Sequence, residues 1–268
     1  MNRIVRRFAE LGSKQRSALI PYITAGDPLP EATVDVMHAL VAAGADLIEL
    51  GMPFSDPMAD GPVIQHADER ALRNKVGIAD IFGWVREFRE HDKITPIVLM
   101  GYLNPVVIHG SERFGCEAVA AGVDGVLIVD CPIEEDATLQ PLRDAGLARI
   151  LLVAPTTSEA RLARAIEAAE GYLYYVAFAG ITGAAKLSTA SIAPCVAELR
   201  RRASVPVAVG FGIKDADGAK SVAACADGVV IGSALVAALA GSGTCEDVCR
   251  RAHEFLEPVR AGIAASKP

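Results

Sequence analysis

The sequence predicts an α/β fold, a single-domain TIM-type (β/α)8 barrel with an extra N-terminal helix, and three observations carry that prediction. The chain has 268 residues, 51% of them AVILMFWYC, a length and apolar content that suit one closed α/β barrel. A quasi-repeat runs along it: "AAGADLIELG" (42–51), "AAGVDGVLIVD" (120–130), "DAGLARILLV" (144–153) and "AACADGVVIG" (223–232). Each copy reads as a helix end, a small residue at the turn and a buried apolar strand. The third observation is the βαβα alternation itself, which implies a parallel sheet.

The elements follow in order. "MNRIVRRFAELGSK" (1–14) reads as a charged amphipathic helix without the apolar segment of an export signal. Eight strands are expected at Leu19–Thr24, Leu47–Leu50, Ile97–Tyr102, Gly125–Val129, Arg149–Val153, Leu173–Val176, Val207–Val209 and Gly228–Ile231. Helical stretches such as Glu31–Ala43, Glu134–Ala145 and Ser158–Ala168 lie between them. No Pro/Ser-rich linker interrupts the pattern, so residues 1–268 are expected to form one domain. A doubly wound open sheet would carry G-x-G-x-x-G after the first strand, and none is there.

Composition excludes several function classes. With 26 basic against 33 acidic residues the formal charge is −7, which argues against nucleic acid as a partner. No run reaches membrane-spanning length. The six cysteines form no CxxC pair and the five histidines no HxH or HExxH spacing, so neither a disulfide framework nor a metal site is expected, and a cytoplasmic location is. Cys245 and Cys249, four apart on a helix, lack a third ligand nearby.

In such a barrel the chemistry sits at the C-terminal ends of the strands. Alternation in "DLIEL" puts Leu47 and Glu49 on one face, with Ile48 and Leu50 suited to the helix-facing side, so Glu49 points inward near the mouth. Burial there raises a carboxyl pKa and favours a general acid/base; the competing reading is a structural Glu paired with a buried base. The loop "GMPFSDPMADGP" offers Asp56 and Asp60 between prolines that limit its freedom, although each could serve only as a turn or cap. Glycines in "VGFGIKD" and "VIGSALV", a helix starting at Ser233, and Gly183 in "GITGAA" are laid out as a barrel phosphate site. A small phosphorylated substrate is expected. In "GYLYYV", Tyr172 and Tyr174 share one face and Tyr175 the other, and the residues alone leave Tyr174 and Tyr175 both open as a substrate-facing phenol.

Taken together, "PYITAGDP" (21–28), "GADLIELGMPFSDPMADGPVIQ" (44–65), "VLMGYLNP" (98–105), "GVDGVLIVDCPIEE" (122–135), "GITGA" (180–184), "GFGI" and "IGSA" resemble the family of tryptophan synthase α subunits over nearly the whole chain. The resemblance implies retro-aldol cleavage of indole-3-glycerol phosphate to indole and glyceraldehyde 3-phosphate, with no cofactor in this chain. It implies Glu49 as proton carrier, Asp60 as acceptor for the indole N–H, and Tyr174 as the catalytic-site tyrosine. Tyr22, Thr24, Met100, Leu127, Asp130 and Thr182 match positions at or near the substrate, Tyr22 standing where many members carry Phe. Gly183, Phe211, Gly212, Ile213, Gly232 and Ser233 match the phosphate site, where backbone groups rather than Lys or Arg would hold the anion.

The implied partner is a β subunit carrying pyridoxal phosphate (PLP), in an α2β2 heterotetramer. Segments 53–60, 102–110, 129–135 and 178–190 would form its interface, with Asp56, Pro57, Asn104 and Pro132 as candidate contacts. Where many members carry a Ser-Arg or Ser-Leu pair with a further polar or basic residue just before the G-V-T-G loop, this chain has Ala177, Phe178 and Ala179. Rival readings are a free-standing indole-releasing lyase, a non-catalytic regulatory subunit, which would lack Glu49 or Asp60, and another phosphate-binding barrel, which would put Lys or metal-binding His at its strand ends.

Overall fold

The computed structural model describes residues 2–177, 189–210, 212–241 and 243–266. Nine parallel strand segments lie in one sheet: β1 (Ala18–Thr24), β2 (Ile48–Gly51), β3 (Ile97–Gly101), β4 (Gly125–Ile128), β5 (Ala148–Arg149), β6 (Leu151–Val153), β7 (Leu173–Val176), β8 (Val207–Gly210) and β9 (Gly228–Ile231). Their order, β5-β4-β3-β2-β1-β9-β8-β7-β6, runs the chain round a barrel. The fifth expected strand, Arg149–Val153, is therefore two pieces meeting at Ile150: β5 pairs with β4 and β6 with β7. The Ile150 amide still donates to the Val126 carbonyl at 2.9 Å, so the seam between the outer members of the sheet is bridged.

Other boundaries shift by a residue or two, as fraying ends do. The expected helix Glu31–Ala43 becomes a 3-10 turn, Pro30–Ala32, followed by the helix Thr33–Ala42. The stretch expected as Glu134–Ala145 is a 3-10 segment, Ile133–Leu139, and a short helix, Gln140–Asp144. Glu135 departs from helical geometry there and Pro141 lacks an amide hydrogen to donate.

Two apolar layers follow from strand alternation. Leu47, Val98, Leu127, Ile150, Tyr172 and Ala208 fill the barrel interior, whereas Ile48, Leu50, Leu99, Val126 and Ile128 pack outward against the helices. The N-terminal helix Arg3–Ser13 plugs the lower end of the interior with Ile4, Phe8 and Leu11. Its first turn is fixed by Asn2, whose Oδ1 accepts from the Ile4 amide while Nδ2 donates to the Asp124 carbonyl. The plugged lower end leaves the opposite end, where the strands terminate, as the place for a site. Among the described residues no helix is long and apolar enough to cross a membrane.

Candidate active site

The site is built outward from Glu49. Parallel pairing sets Tyr22 of β1 and Val98 of β3 level with it, and Leu47, two residues earlier, lies in the barrel interior, so Glu49 points inward as the alternation requires. Glu49 is fully buried. Its Oε1 accepts a hydrogen bond from the Tyr172 hydroxyl at 2.5 Å, and its Oε2 has no partner. No base faces it among the described ion pairs, which removes the reading of a structural Glu held in a salt bridge. Burial raises its pKa to about 8, with the Tyr172 hydrogen bond holding it down. At neutral pH this group is mostly a carboxylic acid with one free oxygen.

That oxygen belongs to a residue walling a cavity of about 610 Å³. Tyr22, Met100 and Tyr174 share the wall, and Gly212, Ile213, Gly232 and Ser233 line the end beyond β8 and β9. Gly232 precedes the helix Ser233–Leu239 at this end, and Lys214 lines it as well. A second cavity, about 720 Å³, shares Ile64, Met100, Tyr174 and Ser233 with the first and is walled by Asp60 and Asp130. A larger hollow of about 960 Å³ lies at the opposite end, beneath the N-terminal helix. Its Arg16, Arg200 and Arg201 are already paired with Asp46, Asp227 and Glu198, so it offers no free cation.

The two tyrosines enter different layers. Tyr174 lines both mouth cavities, whereas Tyr175 packs in the outer layer. Burial, and then the charges of Glu49 and Asp60, raise the Tyr174 pKa well above its ordinary value, so it remains a phenol. Both inward phenols need glycine opposite them: a Cβ on Gly51 would overlap the Tyr22 hydroxyl, and one on Gly210 the Tyr174 hydroxyl.

Asp60 stands on the loop before the helix Pro62–Arg73. Its Oδ2 accepts from the Tyr102 hydroxyl at 2.6 Å, the same hydroxyl takes the Ala59 amide at 3.0 Å, and Gln65 Nε2 donates to the Asp60 carbonyl at 2.8 Å. Phe54 stacks on Tyr102 with ring centroids 5.0 Å apart. Burial raises the Asp60 carboxyl above its usual range and the Tyr102 hydrogen bond opposes that. The loop is thus held by specific bonds, not by its prolines alone.

The remaining expected residues divide. Thr24 meets the Tyr22 hydroxyl at 3.2 Å, and Leu127 sits in the interior packing; neither lines the two mouth cavities. Asp130 lines the second cavity, but its Oδ1 accepts from the Leu103 amide at 2.8 Å and so ties the loop after β4 to the helix Leu103–His109. Asp56, Asn104 and Pro132 are exposed and Pro57 half-buried at the mouth. Thr182, Gly183 and Phe211, with Phe178 and Ala179, lie outside the described residues, while Ala177 is buried. All six cysteines are free thiols, and no group of three or more His, Cys, Asp or Glu among the described residues could hold a metal.

Sequence reasoning missed Tyr172, Tyr102, Gln65, Lys214 and Asp68. For Asp68 a signal was available: Ile64, Ala67, Asp68 and Ala71 form one buried face of the helix, so the spacing set a carboxylate among core positions. Tyr102 and Gln65 gave no such signal, because their partners lie across a loop.

Comparison with known proteins adds an independent line. A family description, the tryptophan synthase alpha chain, matches residues 8–263. A tryptophan synthase alpha chain from Xylella fastidiosa is 56% identical over 268 residues, covering 100% of both chains. One from Xanthomonas oryzae pv. oryzae is 58% identical over 265 residues, covering 98% of this chain and 99% of its own. Among solved structures, the tryptophan synthase subunit alpha of Legionella pneumophila superposes with a TM-score of 0.92 at 42% identity, covering 99% of each chain.

Proposed function

The chain belongs to the tryptophan synthase alpha chain family, and from that premise we propose that Glu49, Asp60 and Tyr174 carry its reaction, the lyase step that cleaves indole-3-glycerol phosphate to indole and glyceraldehyde 3-phosphate in tryptophan biosynthesis. The observation that carries the assignment is Glu49 itself: a fully buried carboxyl with Oε2 unpaired, in the wall of a cavity whose far end is lined by Gly212, Ile213, Gly232 and Ser233.

The chemistry needs one proton delivered and one removed. The Glu49 acid gives its proton to C3 of the indole, leaving positive charge on the ring nitrogen. The Asp60 carboxyl, prepositioned by Tyr102, accepts the indole N–H and stabilises that charge. The Glu49 carboxylate then takes the proton of the side-chain hydroxyl next to C3. The C–C bond breaks, its electron pair neutralises the ring, the aldehyde leaves, and Glu49 ends as the acid it began as. The Tyr174 phenol, which both carboxylates act upon, lines the cavity between the two steps as a hydrogen-bonding wall. Amides at Gly212, Ile213, Gly232 and Ser233 hold the phosphate, joined by Thr182, Gly183 and Phe211 from outside the described residues, with Tyr22 and Met100 against the ring.

The family implies a β-subunit partner. We place the contact at the barrel mouth in an α2β2 assembly, with Asp56, Pro57, Asn104 and Pro132 within it. Support comes from apolar side chains left in solvent there: Met58 is 82% exposed and Ile108 78%. PLP belongs to that partner, and the chain works as one domain in the cytoplasm. Indole release from indole-3-glycerol phosphate, with and without a PLP-loaded β subunit, tests the reading. Slow release accelerated by β is expected; fast release by the chain alone points to a free-standing lyase, and no release in either condition removes the catalytic assignment.

A further inference from the structure

The helix Pro62–Arg73 braces one side of the barrel mouth. Gln65 on it holds the Asp60 carbonyl, and Arg70 grips Asp27, after β1, through hydrogen bonds of 2.6 and 3.1 Å. Between these two, Asp68 is only 3% exposed, and its Oδ1 has no hydrogen-bond partner. Its carboxyl faces the Thr24 hydroxyl from β1 and the Phe54 amide from the segment that leads to Asp60. Thr24 in turn meets the Tyr22 hydroxyl, so Asp68, Thr24 and Tyr22 stand in line toward the cavity. The titratable groups around Asp68 are Tyr22 on β1, Asp27 after it, Asp60 on the loop after β2 and Tyr102 after β3. None is a cation, and Arg70, on the same helix, is occupied by Asp27. A buried carboxyl surrounded by acids costs stability wherever it ionises.

We propose that Asp68 is a positioning residue for the reaction: it braces the 53–60 segment against the end of β1, and so fixes where Asp60 and the Tyr22 wall stand around the substrate ring. This rests on the functional reading above. Below neutral pH the brace is a carboxylic acid between a hydroxyl and an amide. Burial, followed by the charge of Asp60, raises its pKa to about 7. Above that pH an anion faces Asp60 across the brace, and the segment loosens.

The test uses the full chain as wild type, Asp68→Asn and Asp68→Leu between pH 6 and 8.5. Two quantities are read: protection of the amides of residues 54–60 against hydrogen exchange, and affinity for a non-cleavable indole-3-alkyl phosphate. In the wild type both are expected to fall roughly three- to tenfold across this range, the size of a local opening of a loop. Asp68→Asn, which keeps the polar brace without the charge, holds its pH 6 protection throughout and shows in affinity only the change that Glu49 imposes near pH 8. Asp68→Leu is unprotected at every pH. A flat wild-type profile, an Asp68→Asn slope equal to the wild type's, or a Leu variant that matches the wild type at pH 6 overturns the proposal. If the phosphate analogue fails to bind wild type, the functional reading falls instead; hydrogen exchange needs no ligand and still decides the brace.

Discussion

Glu49→Gln separates catalysis from stability in opposite directions. The amide has the shape of the protonated acid and keeps an oxygen for the Tyr172 hydroxyl, so the fold is retained. It can neither give nor accept the proton the reaction moves twice. General acid–base catalysis contributes about 10²–10⁴-fold; because one group serves as acid and then base here, we expect a loss at the upper end, about 5 kcal/mol of barrier. Stability moves the other way. The wild-type carboxyl rises from 4.5 unfolded to about 8 folded, so its contribution is intact below pH 4.5 and is lost as pH climbs toward 8. At pH 7 the lost stability is about 3 kcal/mol, and Gln does not lose it. Glu49→Gln should therefore unfold at higher urea than wild type at pH 7, with the gap closing near pH 5. The assays are urea midpoints at pH 5, 6, 7 and 8, alongside indole release at saturating substrate. A variant within tenfold of wild-type turnover, or a stability gap that does not change with pH, would refute the argument.

The other expectations are more local. Tyr172→Phe removes the hydrogen bond that holds the Glu49 pKa down; kcat/KM, which needs the acid form, should fall at a higher pH than in wild type, and an unmoved or lowered limb counts against the pairing. Gly210→Ala drives a methyl into the Tyr174 hydroxyl and should cost about 1–3 kcal/mol by overpacking. Adding Tyr174→Phe should return only part of that in chemical denaturation, because ring carbons Cζ and Cε1 would still lie 2.7 and 2.8 Å from the new methyl; no recovery at all means the strain lies elsewhere. Met58→Glu puts charge on an 82% exposed apolar side chain, and should weaken β-subunit binding about tenfold or more by titration while leaving the chain's own indole release unchanged. Unaltered binding would move the interface away from residues 53–60.

A few local rules sufficed to read much of this protein from sequence. Period-two alternation in "DLIEL" decided that Glu49 points inward, because Leu47 beside it fills the interior and Ile48 and Leu50 meet the helices. Small residues at helix ends and apolar strands, repeated along the chain, implied a parallel barrel, and the end carrying the chemistry followed from strand direction. Other features were beyond the sequence because they depend on atoms far apart in it. Whether Glu49 had a base or a phenol for a partner turned on Tyr172, 123 residues away, and its raised pKa on burial by the whole barrel. Apart from the family resemblance, Tyr174 and Tyr175 became distinguishable only when one entered the interior and the other the helix layer. The hold of Tyr102 and Gln65 on Asp60, and the stranded carboxyl of Asp68, appear only once a loop, a helix and β1 are packed together. Sequence determined which face each strand presents, since that is set by chirality and period; the tertiary structure decided each site residue's partner and charge, since these depend on what fills the space around it.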